Sequence, residues 1–526
     1  MDAFGDSSGR GCDESEATEA GTPQEAPEAF DRRAFLSTTA KASLGLGGVA
    51  LLTRAGALAQ AVASAPRIAI VGGGIAGLNA AYQLSKVGLR ATVYEASDTL
   101  GGRIRTARGL VAPDVYSELG GEFIDSSHAD LIQLAREFHL PRYDRMELSE
   151  RRLKQDDYFI NGTRYTEQQV VSEFKGIAKS IKQDQDVLPK NVTYRHPGAA
   201  RKYDIISVEE YFQQLGVRGW LLELLRAAYT SEFGLDVGEQ SALNFLTMIG
   251  AEPGAKEFKV FGESDERFKI KGGNDLLIKR LGERLQDRIE RGRQLQAMKG
   301  SGGEYVLSFY GGKEVKADIV ILAIPFSVLR HVDLQLPLPP QKVTAIRELG
   351  YGTNAKLLLG FKERVWRSKG YSGYLINNIL QNGWDHSQLQ NGNAGSGGYT
   401  VFLGGADGLN LSESMAGRYL SVLDQAYGDA TAKHNGSKGV FNWPSNPFSL
   451  GSYSCYKVGQ WTGIGGAEIE SVGNLFFAGE HCSRDFQGYM NGGAESGRMA
   501  AEAVRLKVRG HRRPSRARRA AYGVRR

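Results

Sequence analysis

The sequence predicts an α/β protein: a Rossmann-like dinucleotide-binding domain assembled from three separated stretches, with an α+β domain interleaved between them. Three observations carry that expectation. The apolar run Arg67-Ile68-Ala69-Ile70-Val71 leads directly into Gly72-Gly73-Gly74-Ile75-Ala76-Gly77 and a helical pattern from Leu78 to Val87. That is the strand, turn and helix order in which a glycine fingerprint holds a pyrophosphate. Far downstream, Asp318-Ile319-Val320-Ile321-Leu322-Ala323 is apolar after its first residue, as suits a strand covered on both faces of a sheet. Between the glycine-rich pieces lie two long blocks, 126–268 and 326–441.

Each glycine of the first cluster has its own task. Gly72 permits the tight turn, Gly74 lets the main chain approach a pyrophosphate, and Gly77 lets helix and strand pack closely. The helix N-terminus then faces the phosphates. A second strand, Ala91 to Tyr94, ends in Glu95, about 20 residues past the first glycine, where a carboxylate bonds the adenosine ribose and disfavours a 2′-phosphate. The second cluster, Leu100-Gly101-Gly102-Arg103-Ile104-Arg105-Thr106, decides between a nicotinamide and a flavin dinucleotide, because a nicotinamide domain has no need of it. Gly102 and Arg103 suit a main chain folded against a second phosphate, with the guanidinium paired to it. At these residues the chain resembles the FAD-dependent amine oxidase family, which includes monoamine oxidases, polyamine oxidases and L-amino acid oxidases. The resemblance covers Ile68 to Val504 and implies a GR2-type FAD-binding domain with an interleaved substrate-binding domain.

The pieces follow in order. The FAD-binding domain is expected at 66–125, 269–325 and 442–506. Its middle piece carries Ile270-Lys271-Gly272-Gly273-Asn274-Asp275, a helix over Leu276 to Leu285 and a strand from Ala317 to Ala323. Its last piece ends in a helix from Gly493 to Leu506. The substrate-binding domain is expected at 126–268 and 326–441. The first block is mostly helical by periodicity, as in Ala129 to Phe138 and Trp220 to Tyr229. The second mixes strands such as Ala355 to Phe361 with a Gly/Asn/Ser-rich loop, Gln381 to Gly398.

The resemblance also implies the chemistry. Asn474 to His481 reads as a strand running into a glycine-acid turn, and Gln487-Gly488-Tyr489-Met490-Asn491-Gly492-Gly493 opens the last long helix. In the family this segment lies against the isoalloxazine and the phosphates, so Glu480, Tyr489 and Met490 are expected at the cofactor, with Glu480 on its ribityl or phosphate region. The helix dipole there would stabilise negative charge on a reduced flavin. Tyr489 matches one of the family's two aromatic walls, and Tyr453 in Gly451-Ser452-Tyr453-Ser454-Cys455-Tyr456 matches the other, Tyr456 being the alternative alignment. Two facing rings orient and polarise an amine nitrogen. Ser452 stands where covalently flavinylated relatives have cysteine, so FAD is expected without a covalent bond. Lys356 matches the family lysine that holds a water near flavin N5, in preference to reaching solvent by snorkelling. Gly120 and Gly121 are expected near the flavin, and Leu295 as a main-chain contact to adenine.

From this follows an expected reaction: hydride passes from the carbon next to a neutral amine to flavin N5, the imine is hydrolysed, and dioxygen is reduced to hydrogen peroxide. No strong general base is obvious in the motifs. Familiar L-amino acid oxidases clamp the substrate carboxylate with an arginine in the flavin-adjacent loop, whereas Gly121-Glu122-Phe123-Ile124-Asp125 has none. That favours amines lacking a carboxylate, with Arg105 or Arg484 as substitute clamps and an L-amino acid oxidase or dehydrogenase as the runner-up. Glu122 pairs with a second cationic group of a diamine or faces solvent. The carotenoid or porphyrinogen desaturases share both glycine clusters, but the paired tyrosines and Lys356 argue against them. A non-catalytic flavin-binding redox module is the alternative from another class.

At 526 residues and 41% hydrophobic the chain can bury real cores. Residues 1–30 hold few large apolar side chains and read as disordered. Asp31-Arg32-Arg33-Ala34-Phe35-Leu36, the apolar run Ala42 to Leu52 and the small residues to Ala65 together resemble a twin-arginine export signal, too short to span a bilayer. Cleavage is expected after Ala59, with Ala63 as the alternative, and a periplasmic or secreted product is expected to follow. Removing residues 1–59 takes away five basic and nine acidic residues and moves the formal charge from +6 to +10. The tail, 507–526, reads as a basic disordered, solvated segment in preference to a site for anionic surfaces or nucleic acid, with nothing else suggesting nucleic acid. Cys12 falls in the leader; Cys455 and Cys482 are expected as buried residues near the cofactor, and no metal-site spacing is present. The expected partners are a small amine or amino acid and dioxygen, without a stable membrane span, a homodimer being left open.

Overall fold

The computed structural model describes residues 65–393 and 395–511. The leader with Arg32 and Arg33, both cleavage positions, Cys12 and the tail from residue 512 lie outside the described residues. Five short strands run parallel in the order Leu475–Phe477, Ile319–Leu322, Ile68–Val71, Ala91–Tyr94 and Ile289–Glu290. Their near-continuous apolar side chains are buried because both faces are covered. On one face pack the helices Ile75–Lys86, Asp275–Arg284 and Met490–His511, sharing a core with Leu78, Leu281 and Val504. On the other, Tyr94, Val320 and Phe477 meet a four-stranded sheet through Leu307 and Phe309. All three sequence pieces expected in the nucleotide domain therefore contribute strands to one sheet.

The domain boundaries need correction. Residues 326–349 belong with the nucleotide domain: Asp333–Gln335 pairs with the strand Leu295–Ser301, and Phe326, Ala345 and Leu349 complete the core behind the parallel sheet. Likewise the helix Ala129–Glu137 buries Leu131 and Leu134 against the nucleotide core, and Arg142–Asp144 pairs with Phe268–Ile270. The inserted domain thus runs from about 145 to 267 and from about 350 to 442. Composition could not place these joints, because a helix that packs on either domain shows the same apolar period.

The inserted domain is built on a seven-stranded sheet with strands from both insertions, ordered 434–442, 355–361, 397–403, 381–385, 375–377, 157–160 and 163–165. The helix Gly219–Phe233 lies in the core on one face, and Ala416–Tyr427 covers the other through Tyr419 and Leu423. The strand Ala355–Phe361 is fully buried as its apolar run predicts. The expected loop from Gln381 to Gly398 is not wholly a loop: Gln381–Asp385 is a buried strand. Gly383 belongs there because a Cβ would lie 2.7 Å from the Tyr399 ring, so glycine marks a close approach rather than a turn. The expected strand from Ala317 splits, since Glu314–Ala317 pairs in the four-stranded sheet and Ile319–Leu322 in the parallel one.

Candidate active site

One cavity runs from Glu95, Arg293 and Leu295, past Gly72, Gly74, Gly102 and Arg103, to Lys356, Trp384, Tyr453 and Tyr489. Its first third is the glycine turn. At Gly72, φ is +110° and a Cβ would sit 2.5 Å from the Ala323 carbonyl oxygen; at Gly77 it would sit 2.0 Å from the Gly72 oxygen. Packing demands these two glycines. Gly74 is different: its nearest neighbour would be the Gly101 oxygen at 3.9 Å, so its bareness serves whatever enters the cavity. Gly73 and Ser97 donate main-chain N–H groups to the two Glu95 oxygens at 2.6 and 2.8 Å, which aims that buried carboxylate at the cavity end lined by Leu295. Gly72, Gly74, Glu95 and Leu295 thus line the cavity, and Gly77 packs behind the turn.

The second glycine cluster folds against the first. Gly101 donates to the Gly73 carbonyl at 2.9 Å, and Gly102, with φ +57°, passes 3.5 Å in Cβ terms from the Gly74 Cα. Arg103 lines the cavity, but its Nη1 donates to Glu480 and to the Ser452 carbonyl, both at 2.8 Å. Glu480 also accepts from Ser454 N, Ser454 Oγ and Gly488 N. Burial would raise this carboxyl, yet Arg103, His481 and Ser454 hold it below the ordinary range. Four chain donors hold it, so Glu480 positions Arg103 and the loops at 452–454 and 488 while itself lining the cavity. The last helix reaches the site because Gly493 and Gly497 let it press on Ile75 and Ala76, where Cβ atoms would come within 2.8 and 2.2 Å.

Lys356 also lines the cavity, though its partners differ from those expected. Its ammonium donates to the carbonyls of Glu118 (3.0 Å) and Gly120 (2.9 Å) and to Glu122 Oε2 (2.9 Å). Those three acceptors match its three protons, so protein groups fix the ammonium at the cavity wall. Glu122 is neither solvent-facing nor open to a diamine: it is 5% exposed and its other oxygen takes Lys269 Nζ at 2.7 Å. Burial alone would raise the Glu122 carboxyl, but Lys269 and Lys356 hold it far below its usual range. The triad pins the 118–122 segment, where Gly120 and Gly121 line the cavity and Met490 packs against Gly121.

The far end is aromatic. Phe123, Phe233, Trp384, Phe402, Tyr453 and Tyr489 line it. Tyr489 donates to Glu232 Oε1 at 3.1 Å, and Tyr453 donates to the Glu232 carbonyl at 2.5 Å. Burial pushes both phenols well above their ordinary range, so both remain protonated. The His128 ring sits edge-on to Tyr489 at 5.3 Å. Tyr456, the alternative second wall, instead bonds Glu468 in the core behind the parallel sheet. Two carboxyls that motif reading missed, Glu232 and Glu266, line this end; burial pushes them up to about 7 and about 8. No local signal finds them. Glu232 lies in the last turn of the helix Gly219–Phe233, which stops at Gly234, where a Cβ would lie 2.0 Å from Asn354 Oδ1.

Other expectations are corrected. Arg484 is exposed and does not line the cavity, whereas Arg105 lines it with its guanidinium beside Thr99 and over the Phe441 ring. Cys455 and Cys482 are free and buried, but neither lines the cavity. Ser452 does, bonding Asn354 Oδ1 at 2.6 Å. Among the described residues no cluster suits a metal ion, and no helix is long and apolar enough to cross a membrane. A bare-backbone cradle at a helix N-terminus, a carboxylate at one end and an aromatic chamber at the other together fit a flavin dinucleotide with a substrate at its ring.

Comparison with known proteins agrees. The model for flavin containing amine oxidoreductases matches residues 75–505. A putative L-amino-acid oxidase of Bacillus subtilis is 27% identical over 84% of the chain and 95% of its own length. A flavin-containing amine oxidase B of Cavia porcellus is 24% identical over 83% and 85%. The solved structure of cyclohexylamine oxidase from Brevibacterium oxydans superposes with a TM-score of 0.74 at 21% identity, over 84% of this chain and 99% of that one. A putrescine oxidase bound to putrescine gives 0.73, also at 21% identity and with the same coverage.

Proposed function

The chain belongs to the flavin-containing amine oxidoreductase family and is an FAD-dependent amine oxidase, and from that premise we propose that its substrate is an amine without a carboxylate group. The aromatic end of the cavity carries this reading. Its carboxyls, Glu232 and Glu266, disfavour a substrate carboxylate, and no guanidinium lines that end of the cavity to clamp one. Arg145 lies behind Phe123 and is engaged with Glu266 and Gln388. Arg103 is held by Glu480, and Arg293 pairs with Glu290 beside Glu95. The chamber suits a cationic or neutral nitrogen carried on an apolar body.

Bound FAD supplies the redox chemistry, accepting hydride from the carbon beside the nitrogen and passing the electrons to dioxygen. The chain supplies the rest. Tyr453 and Tyr489 flank the nitrogen, Lys356 and Glu122 hold the 118–122 segment against the cavity, and the aromatic lining excludes water. The FAD is held without a covalent bond, because Ser452 is no nucleophile for flavin attachment and Cys455 is buried away from the cavity.

The deciding experiment measures peroxide release from monoamines, polyamines, cyclic amines and L-amino acids, with flavin release on acid precipitation of the same sample. Amines should turn over and the flavin should appear in the supernatant. Peroxide from amino acids alone reverses the substrate ordering in favour of the L-amino acid oxidase, the reading that the Bacillus relative's name supports. Lys356→Met should slow flavin reduction on the order of 100-fold while FAD stays bound, since a segment of the site shifts by an ångström or so when its ammonium anchor is lost. Stopped-flow rates equal to wild type remove that role. We further propose export by the twin-arginine route, supported by Arg32-Arg33 and the short apolar run after it. Replacing both arginines by lysine should leave the protein in the cytoplasm on fractionation, and unchanged export refutes the route.

A further inference from the structure

Glu232 differs from every other carboxyl lining the cavity. Glu95 is filled by main-chain N–H groups, Glu122 by two lysines and Glu480 by four donors. Asp125 accepts from Ser264 Oγ and Glu266 N, and Glu266 faces Arg145 at 3.4 Å. Glu232 has the Tyr489 hydroxyl on Oε1 and no cationic partner among the described residues. Its own main chain holds Tyr453, so one residue anchors both aromatic walls and presents a carboxyl to the chamber between them.

We propose that Glu232 is a catalytic residue: it receives the substrate ammonium between the two tyrosines and takes its proton, so that the nitrogen is neutral when hydride leaves the adjacent carbon. This rests on the amine-oxidase reading above and supplies the proton acceptor that the sequence motifs lack. The step balances. R–CH2–NH3⁺ and the Glu232 carboxylate give R–CH2–NH2 and the Glu232 carboxylic acid, one N–H bond breaking as one O–H bond forms. FAD bound in the cavity would accept the hydride with its electron pair, leaving R–CH=NH2⁺ for hydrolysis.

The surroundings favour the transfer. A carboxylate enclosed without a cation is costly, and an arriving ammonium provides the missing charge. Burial between aromatic rings disfavours the charged form of both groups, so the proton transfer that neutralises them together is helped. Burial chiefly raises Glu232, Asp125 adds to it and the Tyr489 hydroxyl opposes it, leaving the group at about 7. Glu266, Tyr229, Tyr374 and Tyr453 are the other titratable groups that act with it. A carboxyl poised there both accepts and returns a proton at neutral pH.

The test is Glu232→Gln, which keeps an oxygen for Tyr489, assayed with cyclohexylamine, benzylamine and 1,4-diaminobutane. In the wild type the acid limb of kcat/KM should fall near pH 7. In Glu232→Gln it should move to the substrate's own value, about 10 for an alkylammonium, lowering kcat/KM at pH 7 on the order of 100-fold or more while recovering at alkaline pH. Benzyltrimethylammonium, which has no proton to lose, should bind the wild type about tenfold more tightly at pH 8 than at pH 6 and the variant equally at both. Glu232→Asp, retaining a carboxyl, should keep the limb. A Glu232→Gln profile superimposable on wild type, or pH-independent cation binding by wild type, overturns the assignment while leaving the amine oxidase intact. If none of the three amines bleaches the wild-type flavin anaerobically, the oxidase reading falls and this proposal with it.

Discussion

Gly77→Val should give a protein that folds poorly and carries no FAD. A Cβ at this position would lie 2.0 Å from the Gly72 oxygen and 3.2 Å from Ile70 Cγ2. Neither neighbour can move. Ile70 sits in the parallel sheet between Ile321 and Val93, and Gly72 is itself pressed on the Ala323 carbonyl with φ +110°. The helix Ile75–Lys86 must therefore tilt away from the strand, which breaks its seam with Gly493 and Gly497 and turns its N-terminus off the phosphate position. Overpacking of this kind costs about 1–3 kcal/mol in an adaptable core and more in one walled by main chain. The ratio of absorbance at 450 nm to 280 nm, with a thermal melt, reads both losses. Gly417→Ala, on a helix where the added Cβ meets nothing within 4 Å, should keep full FAD content. A yellow Gly77→Val protein with wild-type Tm would show that the glycine turn does not hold the cofactor as argued.

The second large effect is expected from Glu122→Gln. This change leaves Lys269 and Lys356, 2% and 3% exposed, without the carboxylate that faces both. Removing one member of a buried ion network costs about 3–5 kcal/mol, because the remaining charges stay desolvated. The pH dependence follows from Glu122 lying below its ordinary value of 4.5 in the folded chain. A depressed carboxyl contributes stability that is complete above the unfolded value and lost as pH falls toward the folded one. The gap in unfolding free energy between wild type and Glu122→Gln should therefore hold steady from pH 8 to 5 and narrow below 4.5. Adding Lys269→Met should recover part of the loss, since one uncompensated ammonium is gone. A Glu122→Gln protein within 1 kcal/mol of wild type by denaturant melts, an estimate set against that network cost, would mean that water reaches the triad.

How far the chain could be read varies with how local each constraint is. The placing of Gly72, Gly74, Gly77 and Glu95 was legible because turn, helix N-terminus and the carboxylate after the second strand all fall within one βαβ unit. Tyr453 and Tyr489 were legible through the resemblance of the short segments around them. The partners of Lys356 were not. Its acceptors lie more than 230 residues away in sequence at Glu118, Gly120 and Glu122, and an alternating strand pattern does not say what a buried ammonium meets. The partners of Glu480 were hidden for a similar reason, since a conspicuous acid in a cofactor motif also bonds Arg103, Ser454 and Gly488.

By itself the sequence determined the class of fold, the dinucleotide cradle and the family chemistry, because these rest on residue types at fixed short spacings whose backbone consequences are nearly obligatory. The tertiary structure decided the domain joints, the buried Lys269–Glu122–Lys356 network and the placing of Glu232 and Glu266 in the substrate chamber. Those depend on which surfaces of distant segments desolvate one another. A carboxyl's charge, partner and purpose are set by that enclosure and not by its neighbours along the chain.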